Sequence, residues 1–448
     1  MLRKNRKGQM RATCRLREKW DAGPMSDGLL AADQRYEKLF DVTAEAAAMG
    51  NTVGFDLNAA MNGLRQRGPV LPGSLRDLLG LEGRNPYETV RPTYTALSFA
   101  ACDRAFRENE LFTSFAYNDM PGFRNMGSIL LNKVGDDHKR LRLATQASFL
   151  KPVSLNWWRP NWIDDTIDML LASMAGQDAT DLNMSLCARL PLHVVTRGVG
   201  LAGEDALDFR THLLRSLGNH RCTPEERQAS AGEVERMLRA VVAARRNKPG
   251  QDVVSNLIVA DFRDGQGEVR KLTDDEILGF SRHLLLAGGG TTWRQLGITL
   301  HAMLAHDVWG LCAAERGRID DAIEEAMRWN ATGPTFPRLV IEDVELDGVA
   351  IPGGSRIDIC LGAANRDPSR WENPDAFDIF RPKQVHLGFG MGPHLCLGQH
   401  VARQMMGTAI NRLMDRFPAL RLDPAAAPAV LTGGLEQRGM SAIPVLLR

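Results

Sequence analysis

The sequence predicts an α+β fold, mainly α, in one large domain with small β-sheets. Three features predict it. Long stretches carry apolar residues at the helical period, strand-like runs are gathered late in the chain, and no linker interrupts the middle. For 448 residues a prior of about 150 per domain would suggest roughly three domains. No Pro/Ser-rich run, low-complexity tract or internal repeat supports that division. One domain over residues 26–448 is the simpler reading, and it is large enough to enclose a cofactor-sized cavity.

Residues 1–25 are expected to form a disordered leader. Met1-Leu2-Arg3-Lys4-Asn5-Arg6-Lys7 is basic, but no apolar segment follows it, so it has the form of neither a signal peptide nor a membrane anchor. Met25 offers an alternative start. Helices are expected over 160–176, 185–200, 225–246, 273–306, 318–330 and 396–416. In 318–330, Ile319, Ala322, Ile323, Ala326 and Met327 fall on one helical face. Acidic residues near its start and Arg328 near its end suit the helix dipole. Strands are expected at 338–341, 344–346 and 356–360, with Pro352-Gly353-Gly354 as a turn between them.

A net charge of +1 argues against a dedicated nucleic-acid binder. Apolar runs such as Leu284-Leu285-Leu286-Ala287 are far shorter than the ~20 residues that span a bilayer. The seven cysteines, at 14, 102, 187, 222, 312, 360 and 396, include no C-x-x-C pair, which disfavours a zinc ribbon or iron–sulfur cluster. An odd count without a secretion signal suggests a reducing, cytoplasmic setting. Six of them read as buried apolar fillers.

Cys396 is different. It lies in Phe389-Gly390-Met391-Gly392-Pro393-His394-Leu395-Cys396-Leu397-Gly398. Glycines at 390, 392 and 398 allow tight turns and close approach to a flat ligand. A helix expected to begin near Cys396 would aim amides and a dipole at its sulfur, favouring thiolate and tuning a bound metal. The glycine spacing is wrong for a dinucleotide fingerprint, and the Gly-Lys-Ser/Thr of a P-loop is absent. A cysteine nucleophile with His394 or His400 as base would need a dyad between near neighbours in the chain, which is rare. The segment resembles the signature of the cytochrome P450 superfamily, Phe-Gly-x-Gly-x-His/Arg-x-Cys-x-Gly. That resemblance implies haem b as cofactor, Cys396 as thiolate ligand of its iron, and electron donation by the thiolate that favours O–O cleavage. Phe389, Gly390, His394 and Gly398 would contact the haem.

Three further segments resemble the family in the expected order. Glu325-Ala326-Met327-Arg328 resembles its Glu-x-x-Arg helix, with the two charges on one face. Phe377-Asp378-Ile379-Phe380-Arg381-Pro382 supplies Arg381 as the third member of a buried structural network. His138-Lys139-Arg140-Leu141-Arg142 resembles the His-x-x-x-Arg helix, which implies that His138 and Arg142, with Arg338 and His394, meet the haem propionates. Leu284-Leu285-Leu286-Ala287-Gly288-Gly289-Gly290-Thr291-Thr292 resembles the oxygen-binding helix. There Ala287 and Gly288 would lie over the haem and Thr291 and Thr292 would serve catalysis. Three glycines inside a helix cost roughly 2–3 kcal/mol relative to alanine. Close passage over the cofactor and a local bulge opening room for O₂ would explain them.

The resemblance implies a single-domain cytochrome P450 fold. It also implies a monooxygenase inserting one atom of O₂ into an apolar or amphipathic organic substrate, with electrons from a separate ferredoxin and ferredoxin reductase. Basic residues such as Lys383 and Arg403 would receive an acidic donor. Substrate-facing residues are expected around 114–133, 284–292, 332–336 and 433–435, with Phe115, Met120, Phe123, Met126 and Phe336 making an apolar site. One departure stands out. The family usually reads Ala-Gly-x-Asp/Glu-Thr-Thr, and here the acidic position is Gly290. Glycine cannot relay protons. Water held by Thr291 and Thr292, or a polar group of the substrate, is then needed. The alternatives are a peroxygenase, or an isomerase or dehydratase that needs no O₂ activation. A non-catalytic haem-thiolate sensor is the reading from another class. Arg294, one turn on, is placed to bind a carboxylate or, more plainly, to form an ion pair within the helix bundle.

Overall fold

The computed structural model describes residues 29, 33–48, 53–82, 85–127, 129–201, 204–217 and 222–448. The expected leader at 1–25 lies outside them. Seven helices position the site: α1 (Gly135–Thr145), α2 (Arg189–Val199), α3 (Glu204–Leu217), α4 (Pro224–Asn247), α5 (Asp274–Ala305), α6 (Arg318–Trp329) and α7 (Gln399–Arg416). The 32-residue α5 runs about 48 Å at 1.5 Å per residue and forms the axis of the molecule, with α2, α4, α6 and α7 packed around it. Its start is strongly marked. The Thr273 hydroxyl accepts the Glu276 amide, the Glu276 carboxylate accepts the Thr273 amide at 2.8 Å, and three acidic residues fill the first turn.

Five strands form the main sheet: β1 (Val70–Pro72), β2 (Thr93–Ala96), β3 (Phe112–Thr113), β4 (Thr335–Val340) and β5 (Arg356–Cys360), in the order β1-β2-β5-β4-β3. The β2–β5 pair is parallel and the others antiparallel. Strand β4 pairs Arg338 with Ile357 of β5. Phe106, Phe112, Val340, Ile357, Ile359 and Leu387 fill a core against this sheet, separate from the larger helical core. Two short helices near the start, Asp33–Leu39 and Val42–Ala48, seat Tyr36, Phe40 and Val42 in a third cluster with Trp293 of α5.

The structure moves three expected features. The helix expected over 160–176 begins as a run of wide turns, Ser154–Ile163, and becomes regular only at Asp164. Pro160 lies inside that run, where it has no amide to donate and its ring crowds the preceding turn. Helix α7 begins at Gln399 rather than at Cys396, because the Cys396 amide donates to the Phe389 carbonyl at 2.9 Å and closes the loop instead. Through Gly288-Gly289-Gly290, α5 stays α-helical, without the expected bulge.

Candidate functional site

The loop before α7 is shaped by glycine. Gly390 and Gly392 have φ of +69° and +68°, a region that L side chains enter at a cost of roughly 1–2 kcal/mol. A Cβ on Gly392 would also lie 2.4 Å from the Phe106 carbonyl oxygen. The loop therefore closes tightly on the sheet-side core and presents Cys396 inward. Burial pushes the Cys396 thiol up from its ordinary value. The amides of Gly398 and Gln399 and the charges of Arg142 and Arg403 act in the opposite direction. The expected lowering at a helix start is thus outweighed by desolvation. The residue is nevertheless only partly covered, as are all positions from 388 to 400 except the exposed Pro393. Phe389 is capped by Arg403, whose guanidinium stands 4.2 Å over the ring.

Helix α5 shows an open face within an otherwise buried element. His283, Leu284, Ala287, Gly288 and Thr291 are partly or fully open, while Leu285, Gly289, Gly290 and residues 292–300 are buried. The spacing is that of one helical stripe. Thr291 donates to the Ala287 carbonyl at 2.9 Å. Thr292, one residue on, is turned into the core at 5 % exposure, so it does not share this face. The glycines have a different cause from the expected one. A Cβ on Gly288 would meet Val195 Cγ2 of α2 at 2.8 Å, and one on Gly289 would lie 3.9 Å from Leu192. Close helix–helix packing, not passage over a ligand, requires Gly288 to be small.

Cationic and imidazole groups converge at one end. The His138 and His394 rings lie 4.0 Å apart, and Ser114 Oγ is 3.3 Å from His394 Nε2. Arg142 Nη2 donates to the Leu395 carbonyl at 2.7 Å. Burial pushes His138 down to about 4, with Arg142 and Arg338 adding to the fall. It pushes His394 down to about 2, with Arg338, His138, Arg142 and His283 adding to it. His138 Nε2 and Arg338 Nε are buried without a partner. No carboxylate is among the neighbours that act on His138, Arg142 or Arg338. Two orphaned nitrogens in a basic cluster without an acid fit an anionic ligand. A cleft of about 1150 Å³ opens at this end, with His138, Arg142, Gly392 and Leu395 in its wall and the carboxylates of Glu108, Glu110, Asp136 and Glu342 farther along it. A dicarboxylic haem suits the whole set: an inward sulfur, an open helical face and a basic cluster for its acids.

The acidic and basic residues of α6 join a separate network. Arg328 Nε and Nη2 each donate to the Glu325 carboxylate at 2.8 Å. Arg381 Nε and the Asp378 amide add bonds at 3.4 and 2.9 Å. Arg328 also holds the carbonyls of Asn365, Pro374 and Ala376. All three side chains are less than 10 % exposed.

Part of the matched region extends over this network and the cysteine loop. The family model described as Cytochrome P450 matches residues 318–428. The 6-deoxyerythronolide B hydroxylase of Saccharopolyspora erythraea is 33% identical over 313 residues, covering 69% of this chain and 76% of that protein. The chain belongs to the cytochrome P450 family. Vitamin D(3) 25-hydroxylase of Pseudonocardia autotrophica is 30% identical, covering 73% of this chain and 80% of its own. Among solved structures, the cytochrome P450 PksS of Bacillus subtilis 168 superposes with a TM-score of 0.76 at 26% identity, covering 88% of this chain and 97% of that one. As a cytochrome P450 the chain is a haem-thiolate monooxygenase. It uses haem b, O₂, an organic substrate and an electron donor.

Sequence reasoning missed His283, which shares the face of Ala287 four residues away, so helical spacing alone could have found it. Ser114 and Tyr117 fall within the expected stretch 114–133, but only the fold sets them against His394 and Arg338. Of the expected apolar lining, Met120 and Met126 are buried, Phe115 is 42 % exposed, and Phe336 packs edge-on to Phe106. Arg403 is already forked to Glu324 at 2.6 and 2.8 Å. It is therefore engaged within the protein; Lys383, 87 % exposed, is also paired, to Asp321 at 2.9 Å.

Proposed function

We propose that Cys396 would be the thiolate ligand of the haem iron, that His138, Arg142, Arg338 and His394 would hold its propionates, and that Thr291 on the open face of α5 holds or moves protons through its hydroxyl. The observation that carries this reading is that His283 of the open stripe of α5 and the basic cluster of His138, Arg142 and Arg338, with two orphaned nitrogens, all act on His394 of the Cys396 loop. When bound, haem supplies the redox centre at which O₂ is reduced and split.

The chain's own residues do the rest. Gly398 and Gln399 amides steady negative charge on sulfur. Arg142 and Arg338 neutralise carboxylates in a region where burial makes an unpaired charge costly. Thr291 and the Ala287 and Gly288 backbone line the reaction space, and Glu325, Arg328 and Arg381 keep the loop's surroundings rigid. Phe389 and Gly390 close the turn on which Cys396 sits. Thr292 supports α5 from the core.

The substrate is an apolar or amphipathic molecule of polycyclic or macrolide size. Phe115, Phe123 and Phe336 contribute apolar surface near the site. Two relatives are named as hydroxylases of 6-deoxyerythronolide B and vitamin D(3). The donor is a separate acidic ferredoxin with its reductase, received near exposed Lys383. A cytoplasmic setting suits the free state of the six described cysteines and the lack, among the described residues, of a helix able to cross a membrane. The test is optical. Titrating the ferric holoprotein with a steroid, a macrolactone and a short-chain acid should give a saturable spin-state shift with the first two only. A shift with the short acid alone would overturn the substrate class, and a Cys396→Ser protein with unaltered haem spectrum would overturn the ligand.

A further inference from the structure

Position 290 carries no side chain, yet a carboxylate is linked to it through an arginine. Arg294, one turn on, donates through Nη1 to the Gly290 carbonyl and through Nη2 to Glu45. Arg210 of α3 donates to the Gly289 carbonyl at 3.3 Å and to Glu45 Oε1 at 3.4 Å. Glu45 comes from the short helix Val42–Ala48, far away in the chain. Phe40 stands edge-on to Trp293 at 5.2 Å and beneath Arg210 at 4.0 Å, which holds that segment in place.

We propose that Glu45 is the proton-relay carboxylate of this monooxygenase, supplied from the N-terminal segment to the place on α5 where Gly290 offers no acid. This rests on the assignment of oxygen chemistry to the open face at Thr291. The need follows from balance. One turnover is RH + O₂ + 2 e⁻ + 2 H⁺ → ROH + H₂O: one oxygen atom enters a C–H bond of the substrate and the other leaves as water with both protons. The donor supplies the electrons, and the protons must reach a buried space from solvent. Arginine stays protonated, so neither guanidinium can carry them. Glu45 is the carboxylate bonded to both guanidiniums, and so the member of this cluster that can accept and release a proton. It is buried at 8 % exposure, somewhat less deeply than Arg294 at 1 % and Arg210 at 3 %. Its carboxylate takes a proton from solvent, passes it through water towards Thr291, and is reprotonated from outside. The two cations hold it in place. Burial pushes the Arg210 guanidinium down to about 10, opposed by Glu45 and helped by Arg294, in keeping with two cations sharing one acid.

The geometry supplies its own control. A Cβ at Gly290 would have Arg294 Nη1 at 4.0 Å and no other neighbour within that distance. An aspartate there would reach the guanidinium that now holds Glu45. The experiment uses the holoenzyme with a ferredoxin system and a substrate identified by the spectral screen. It compares wild type, Glu45→Gln, and Glu45→Gln with Gly290→Asp. Melting temperature and the reduced carbon monoxide band report folding and haem loading. Each protein is driven in two ways, by O₂ with NAD(P)H and by hydrogen peroxide. The reaction RH + H₂O₂ → ROH + H₂O draws no protons from solvent, so it registers structural damage but not loss of a relay.

For Glu45→Gln the O₂-driven rate should fall more than the peroxide-driven rate by on the order of ten-fold to a hundred-fold, at or below what a positioned acid or base contributes. The solvent deuterium effect should rise, and NAD(P)H should go to peroxide rather than product. Gly290→Asp should recover most of the loss. Equal losses in both reactions, or a fully loaded double variant without recovery, would overturn the proposal. Should Glu45→Gln not fold, the double variant, in which Arg294 regains an acid, decides alone: wild-type coupling supports the relay, and peroxide-only turnover refutes it. A wild-type protein without the carbon monoxide band would instead overturn the haem assignment.

Discussion

At the residue scale, the two loop glycines are not equivalent. Gly390 has a left-handed φ but open space around its missing Cβ, the nearest atom being the His394 carbonyl oxygen at 4.0 Å. Gly390→Ala should cost only the conformational strain, roughly 1–2 kcal/mol. Gly392→Ala adds backbone overlap with Phe106 and should cost more than that, roughly 3 kcal/mol or above once strain and overpacking combine. Haem retention after size-exclusion chromatography and melting of the holoproteins check the order. Equal effects would mean that the loop can withdraw from Phe106. The sequence showed that both positions need glycine. It could not show which one touches a backbone, because Phe106 arrives from nearly 300 residues away. The same gap explains Gly288, whose smallness serves Val195 rather than a ligand.

At the element scale, the α6 network and the N-terminal latch behave differently. Glu325→Ala leaves Arg328 and Arg381 buried and under-paired, a loss of about 3–5 kcal/mol for a broken buried pair. Little haem-loaded protein should accumulate. A variant with normal yield, haem content and melting temperature would make the network dispensable. This network was legible from motif order, because Glu-x-x-Arg and the later Phe-x-x-Phe-Arg-Pro are short and local. The latch was not. Tyr36, Phe40 and Glu45 lie in a segment without a motif, and their partners His193, Arg210 and Arg294 are scattered over three helices. His193 faces the Tyr36 hydroxyl at 2.5 Å. Burial, with Arg189 and Arg197, pushes it from 6.5 down to about 3. The unfolded chain therefore binds the extra proton first as pH falls. The stabilisation is complete above 6.5 and is lost between 6.5 and 3, with a slope of at most about 1.4 kcal/mol per pH unit. His193→Gln, which can still bond Tyr36, should flatten the melting-versus-pH profile of the holoprotein in that window. An unchanged slope would show that His193 already titrates near its ordinary value.

At the scale of the whole molecule, one long helix organises the rest. Helix α5 is buried along most of its length, with a partly open stripe from His283 to Thr291, and His283 on that stripe acts on His394 of the Cys396 loop. The sheet brings Arg338, and α1 brings His138 and Arg142, to the same histidine. Fold class and central chemistry were legible because both rest on long periodic helices and on one short glycine–cysteine loop. The register of the helices, the late start of α7 and the return of the N-terminal segment depend on tertiary packing, which no local pattern records. The most direct test of the molecule as a haem-thiolate enzyme is the carbon monoxide spectrum of the dithionite-reduced protein. Wild type should absorb at about 450 nm, reflecting thiolate donation to the iron, and Cys396→His should shift the band to the region of ordinary histidine-ligated haem. A wild type without that band, or a Cys396→His protein that keeps it, would contradict the assignment.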